Sequence, residues 1–167
     1  MIGKRPVARA AATGLMFKPR LRRFDWTFTD SPLYFLTACT SQRRKLLASS
    51  QVHDCLSAFA RQAKARGVGV GRYVLMPDHL HLFAAFAPGA PQLSSWMAAL
   101  KGVLSAVWRA QGCPVPFWQK GFFDHVLRSR ESYAEKWLYV RENPVRAGLV
   151  KRWEAWPYQG EVYPLEL

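Results

Sequence analysis

Apolar residues recur along the chain with two spacings, one typical of strands and one typical of helices, and these spacings predict its secondary structure. Short β-rich runs bounded by turn residues predict strands at 33–40, 70–75, 79–86 and 122–128. Apolar residues spaced three and four apart predict a helix over 51–66, ended by Gly67, and another that Ser94 or Ser95 caps and that runs to about 110. A third helix is expected over 132–142, where Ser132 and Glu135 have the spacing of a capping box.

The order of these elements is strand, helix, two strands, helix, strand and helix, which predicts an α+β fold. The second and third strands lie close together in the sequence and are expected to form an antiparallel hairpin. This arrangement resembles the split βαβ sheet of ferredoxin-like and RRM-like domains. We therefore expect an antiparallel sheet with flanking helices, in which the strand at 79–86 is central.

Chain length and charge set the broad class. The 167 residues suit a single domain, assigned to 31–167 after a basic and flexible N-terminal arm at 1–30. Lys and Arg number 24 against 11 Asp and Glu, and this net charge of +13 favours a polyanionic partner such as nucleic acid. No run approaches the ~20 apolar residues of a membrane span. The cysteines Cys39, Cys55 and Cys113 are odd in number and lack a Cys-x-x-Cys spacing. They indicate reduced thiols in a cytoplasmic protein.

The segment 75–83 places two histidines in an otherwise apolar strand. Because side chains alternate along a strand, His79 and His81 share one face, with Cα atoms about 6.6 Å apart. Both imidazoles could therefore reach one metal ion. Asp78 either holds a histidine tautomer by a hydrogen bond or caps the turn at Pro77.

A second informative segment is the third predicted helix. Tyr139 and Asn143 are four residues apart and lie on one helical face. One interpretation makes Tyr139 a core aromatic and Asn143 a simple cap before Pro144. The other combines them with the histidines: a phenol is a competent nucleophile towards phosphorus, and a metal ion makes phosphorus more electrophilic. Asn143 would then supply a further oxygen ligand.

The ordered motifs resemble a known family. His79-Leu80-His81 resembles the His-hydrophobe-His motif of HUH endonucleases. Together with the segments at 117–119 and 123–125 and with Asn143-Pro144-Val145-Arg146-Ala147-Gly148, it is similar to the single-tyrosine transposases, in particular the REP-associated tyrosine transposases. The resemblance extends from about Leu33 to Trp156.

The resemblance implies a metal-dependent endonuclease and strand transferase that acts on single-stranded DNA with hairpin-forming repeats. It implies Mg²⁺ or Mn²⁺ at His79, His81 and Asn143, and Tyr139 as the nucleophile that forms a 5′-phosphotyrosine. Tyr133 on the same helix lacks the Asn partner, so Tyr139 is preferred. The active site could act in cis in a monomer or in trans in a homodimer. The protein is expected in the cytoplasm with the nucleoid.

Basic and aromatic side chains are the candidate DNA contacts. They are Arg22, Arg23, Arg43, Arg44, Trp118, Arg128, Arg130 and Arg146. Trp118 could instead pack under the sheet. Asp124 and His125 are neighbours on a strand and face opposite sides, so that one of them could orient a ligand histidine or contact DNA. The alternative function is a catalytically silent DNA- or RNA-binding module on the same fold.

Overall fold

The computed structural model describes residues 31–165. Its strands and helices alternate as the sequence predicts, with an additional short helix and a fifth strand near the C-terminal end. The elements are β1 (Leu33–Cys39), α1 (Ser50–Ala63), β2 (Val68–Leu75), β3 (His79–Phe86), α2 (Leu93–Ala110), β4 (Phe123–Leu127), α3 (Arg130–Arg141), α4 (Asn143–Arg146) and β5 (Gln159–Glu161). The predicted arm at 1–30 and the candidate contacts Arg22 and Arg23 lie outside the described residues.

The five strands form one antiparallel sheet in the order β4-β1-β3-β2-β5. The first four have the order of a ferredoxin-like sheet, and β3 is the central strand, so the predicted α+β class is confirmed. The tail returns along the outer edge of β2 as β5, a strand that the sequence did not predict. Gly160 in β5 lies opposite Tyr73, where a Cβ would come within 2.8 Å of the phenol oxygen.

Each face of the sheet packs against different helices. Leu36, Leu80 and Leu82 belong to the larger apolar cluster, which α1 and α2 complete; we call this side the α1/α2 face. Phe35 and Phe83 belong to the smaller cluster, which includes Tyr133 and Val140 of α3; we call this side the α3 face. The alternation of side chains along β3 places His79 and His81 on the α3 face.

Two predicted helix caps are wrong. The cap of α3 is Ser129, whose side chain accepts a hydrogen bond from the Ser132 backbone N–H while the Ser132 hydroxyl completes the box. The capping box therefore lies three residues before the predicted pair of Ser132 and Glu135, because Ser129 precedes Ser132 at the same spacing. The second helix begins at Leu93 without a side-chain cap, ahead of Ser94 and Ser95. Gly67 ends the first helical segment with a φ of 77°, as predicted.

Candidate active site on the α3 face

Both histidines of β3 are held in place through their Nδ1 atoms. Asp78 Oδ1 lies 2.7 Å from His79 Nδ1 and accepts a hydrogen bond from the ring N–H. Thr37, opposite His81 in the β1–β3 register, places its hydroxyl oxygen 2.7 Å from His81 Nδ1. The two rings lie 4.8 Å apart between centroids. The carboxylate contact of His79 leaves its Nε2 with the lone pair for a metal ion, and His81 offers its Nε2 in the same way when the Thr37 hydroxyl accepts from Nδ1.

His81 is fixed further by packing and is neutral at physiological pH. Its ring stacks on Phe35 at a centroid distance of 5.3 Å. The pKa of His81 is lowered to about 3, chiefly by burial and in smaller part by the positive groups nearby, namely His79, Lys136, Arg146 and Arg43. A neutral imidazole is the form that binds metal ions.

The donor set fits a divalent ion only in part. Among residues 31–165 no group of three or more His, Cys, Asp and Glu side chains is placed to hold a metal. The two imidazoles therefore need oxygen ligands from an amide or from a bound substrate, which is the preference of Mg²⁺ and Mn²⁺. The chemistry of these donors fits a site that is completed by oxygen atoms of a bound ligand.

Tyr139 is an exposed side chain on the same face of the sheet. Its exposed fraction is 60%, whereas Tyr133 is 9% exposed and packs against Phe83 at a centroid distance of 4.7 Å. The interpretation of Tyr139 as a core aromatic is thus wrong, and the core tyrosine of α3 is Tyr133. Burial raises the pKa of Tyr133 to about 12.

Arg146 connects Tyr139 to Asn143. Its guanidinium carbon lies 4.2 Å from the centre of the Tyr139 ring. One of its nitrogens donates to the Tyr139 backbone oxygen at 2.7 Å and also to Asn143 Oδ1. Asn143 begins α4 rather than capping α3, and its carboxamide oxygen already accepts a hydrogen bond. A metal ion would therefore compete with Arg146 for that oxygen.

A cavity of about 370 Å³ opens beside Tyr139, on the flank of α3 that faces β4. Tyr139 lines it together with His125, Leu127 and Lys136. Lys136 Nζ lies 5.4 Å from the centre of the Phe35 ring, against which His81 stacks. His125 lies opposite Phe35 in the β1–β4 register and so shares the α3 face, while Asp124 lies opposite Leu36 and faces α1 and α2.

The predicted DNA contacts fall into separate places. Arg43 reaches the histidines: its Nη1 lies 3.4 Å from Asp78 Oδ2 and 3.5 Å from His79 Nδ1. Its φ of 55° and that of Gln42, 53°, are left-handed values that are uncommon outside glycine. Arg146 is at Tyr139, as described above. Arg44 instead donates to the backbone oxygens of Pro114 and Pro116.

The remaining candidates lie away from the histidines. Trp118 packs on the α1/α2 face, with its ring 5.2 Å from that of Trp108 and its Nε1 donating to Ser105 Oγ at 3.0 Å. Arg128 and Arg130 are exposed where β4 leads into α3.

Sequence reasoning missed Thr37 and Lys136. The role of Thr37 depends on strand register, which the sequence alone does not reveal. Lys136 could have been found, because it precedes Tyr139 by three residues and shares a helix face with it.

Comparisons with known proteins agree with this picture. The family model described as "Transposase IS200 like" matches residues 30–141. A REP-associated tyrosine transposase of Escherichia coli (strain K12) is 25% identical over 125 residues, covering 75% of this chain and 73% of that protein. A Haemophilus influenzae protein with a provisional assignment to the same group is 24% identical over 158 residues, covering 82% of this chain and 88% of that protein.

A solved structure shows the same fold. It is a REP-associated tyrosine transposase bound to a REP hairpin, with a TM-score of 0.63 and 24% identity, covering 83% of this chain and 79% of that one. No helix among residues 31–165 is long and apolar enough to cross a membrane. The resemblance to REP-associated tyrosine transposases that the motifs indicate is confirmed, and the chain belongs to the family of IS200-like transposases.

Proposed function

We propose that the chain cleaves and rejoins single-stranded DNA at hairpin-forming repeats, with Tyr139 as the nucleophile and His79, His81 and Asn143 as ligands of Mg²⁺ or Mn²⁺. The observation that carries this proposal is the placement of α3. Its exposed Tyr139 lies on the face of the sheet that bears the histidine pair, and Arg146 contacts Tyr139 while acting electrostatically on His81. The REP hairpin bound by the structural neighbour supports the choice of substrate.

The cleavage step follows from the chemistry of a phenol and a phosphodiester. The Tyr139 oxygen attacks phosphorus and loses its proton, the bond from phosphorus to the 3′ oxygen breaks, and that oxygen takes up a proton. The products are a 5′-phosphotyrosine and a free 3′-hydroxyl, and attack by another 3′-hydroxyl reverses the step. A bound divalent ion would withdraw charge from the phosphate and make phosphorus a better electrophile.

Basic side chains next to these groups would hold the DNA backbone. Arg43, Lys136 and Arg146 all act electrostatically on His81, so a phosphate bound beside that ring would meet three positive charges. Because the tyrosine and the histidines lie on the same face of one chain, the arrangement supports action in cis by a monomer. A DNA substrate of this kind also implies a place in the cytoplasm with the nucleoid.

The test uses the full chain, Mn²⁺ and a single-stranded hairpin oligonucleotide carrying a label at its 3′ end. The label should migrate with the protein in a denaturing gel, because the 5′-phosphotyrosine joins the protein to the downstream fragment. Tyr139→Phe should abolish this adduct, and His81→Gln should reduce it by at least about 100-fold. The matched control is Tyr133→Phe, which changes the buried tyrosine of the same helix and should keep the adduct.

Other outcomes would count against the proposal. An adduct that persists in Tyr139→Phe would show that another residue is the nucleophile. Binding of hairpins without any adduct, in Mn²⁺ or Mg²⁺ and over varied sequences, would favour the silent binding module.

A further inference from the structure

A second pocket lies on the opposite flank of α3, between that helix and the β2–β5 edge of the sheet. It has a volume of about 290 Å³, and its lining residues are Arg72, Trp137, Trp153, Gln159, Gly160 and Glu161. None of these residues takes part in the proposed cleavage. The register of β2 and β5 pairs Arg72 with Glu161 and places both on the α3 face.

The walls of this pocket are aromatic and cationic. The Trp137 and Trp153 rings are nearly perpendicular, at 82°, with centroids 6.4 Å apart, and both are half-buried. The guanidinium carbon of Arg72 lies 5.3 Å from the Trp137 ring centre, and that of Arg141 lies 4.9 Å from the Trp153 ring centre. Indole and guanidinium planes are the surfaces on which unpaired bases stack.

Hydrogen-bonding groups lie beside these rings. Glu161 accepts from Arg72 Nε at 3.2 Å, and its side chain remains 37% exposed. Gln159 Nε2 donates to the Trp153 backbone oxygen at 2.6 Å, which fixes the orientation of the amide. Gln159 Oε1 is then a buried acceptor that has no partner among the described residues. Buried polar atoms without partners are few in native proteins, and a ligand N–H would satisfy this one.

We propose that this pocket binds one unpaired nucleobase of the DNA strand that Tyr139 cleaves. A base offers a flat π surface to the indoles, and its edge carries both acceptors for Arg72 and N–H donors for Glu161 and Gln159. The net charge of +13 brings the backbone of such a strand to the protein. This inference rests on the proposed function, since it assumes a single-stranded DNA substrate.

The position of the bound base follows from the helix. Trp137 and Tyr139 are two residues apart on different sides of α3, so they are separated by roughly the 10–12 Å diameter of a helix. At the rise of about 3.4 Å per nucleotide of a stacked strand, this distance corresponds to at most roughly three or four nucleotides, and an extended single strand spans it with fewer. The captured base should lie that close to the scissile phosphate.

The test is an affinity scan in EDTA, where cleavage does not occur. Hairpin oligonucleotides each carry one abasic site, at successive positions of the single-stranded flank, and binding to the full chain is followed by fluorescence anisotropy. The wild-type protein should lose affinity on the order of tenfold at one position near the scissile phosphate. Trp153→Leu should bind intact DNA with a similar loss and should show no additional loss when the base at that position is absent.

Two further variants distinguish a loss of base binding from a loss of folding. Glu161→Gln, at an exposed position, should reduce the loss of affinity that the same abasic site causes, without lowering the melting temperature of the protein. Phe59→Leu is the matched control, because it removes a half-buried ring from a cavity on the α1/α2 face and should leave the abasic profile unchanged. If Trp153→Leu and Glu161→Gln both keep the wild-type profile, or if no position is sensitive, the pocket does not bind a base. Failure of the proposed function would appear separately, as the absence of the Tyr139 adduct.

Discussion

Consecutive residues of β3 face different environments. Leu80 and Leu82 point towards α1 and α2 and are at most 1% exposed, in a cluster of aliphatic and aromatic side chains. His79 and His81 point towards α3, where Tyr133 and Val140 are the only buried side chains among those that the structure describes in that helix. The α1/α2 face therefore stabilises the sheet, while the α3 face carries polar groups that a fully packed core would exclude.

The coverage of the two faces explains the difference. Helices α1 and α2 have 14 and 18 residues and pack against each other as well as on the sheet. Helix α3 has 12 residues and leaves a cavity on each flank. A short helix on a sheet can thus leave an exposed tyrosine and two cavities beside it without opening the main core.

The largest expected effect tests the stabilising role of the α1/α2 face. Leu82→Ala should lower the free energy of unfolding by about 2–5 kcal/mol, because it leaves a cavity under two helices. Leu138→Ala on α3, where the leucine is 49% exposed, should change it by less than about 0.5 kcal/mol. Urea unfolding of the two variants measures both values. Equal losses would mean that the two faces contribute alike.

A smaller effect is expected from the groups that hold the imidazoles. Asp78→Asn should weaken Mn²⁺ binding to the protein–DNA complex by about 10- to 100-fold, because His79 loses the carboxylate that orients it. Thr37→Val should also weaken Mn²⁺ binding, because His81 loses the hydroxyl that contacts its Nδ1. Titration calorimetry in a Tyr139→Phe background, which we expect not to cleave, measures the affinity. Unchanged Mn²⁺ affinity in both variants would contradict the role of Asp78 and Thr37 in orienting the two imidazoles for a metal ion.

The smallest effect concerns pH and the buried tyrosine of α3. The pKa of Tyr133 is raised from 10.0 to about 12, chiefly by burial, so the unfolded chain releases the proton first as the pH rises. The contribution to stability is complete below pH 10 and is lost between pH 10 and about 12, by at most about 1.4 kcal/mol per pH unit. Tyr133→Phe should flatten this part of the stability curve. Urea unfolding at pH 9, 10 and 11 measures the difference, and identical slopes would contradict the prediction.

Local patterns predicted most of the fold. The alternation at 79–86 gave the bounds of β3, and the spacing of apolar residues gave α1 and α2 to within a few residues. The strand β5 was missed because three residues around a glycine carry no strand pattern. The cap of α3 was misplaced because Ser129 and Ser132 both have capping chemistry.

The candidate site was predicted less completely. The strand period placed His79 and His81 on one face, but the hydrogen bond between Thr37 and His81 depends on the pairing of β1 with β3, which are more than 30 residues apart. The pocket lined by Trp137, Trp153 and Gln159 likewise forms only when the tail returns to the sheet. The assignment of Tyr139, of the ligands and of the metal stays a prediction.

The return of the tail also protects the sheet from self-association. Beyond the β5 pairing, the tail exchanges backbone hydrogen bonds with Val70, Gly71 and Leu75, and so occupies much of the outer edge of β2. An uncovered edge strand offers free N–H and C=O groups to a second chain. A chain shortened by its last ten residues would expose this edge and would be prone to strand addition and aggregation.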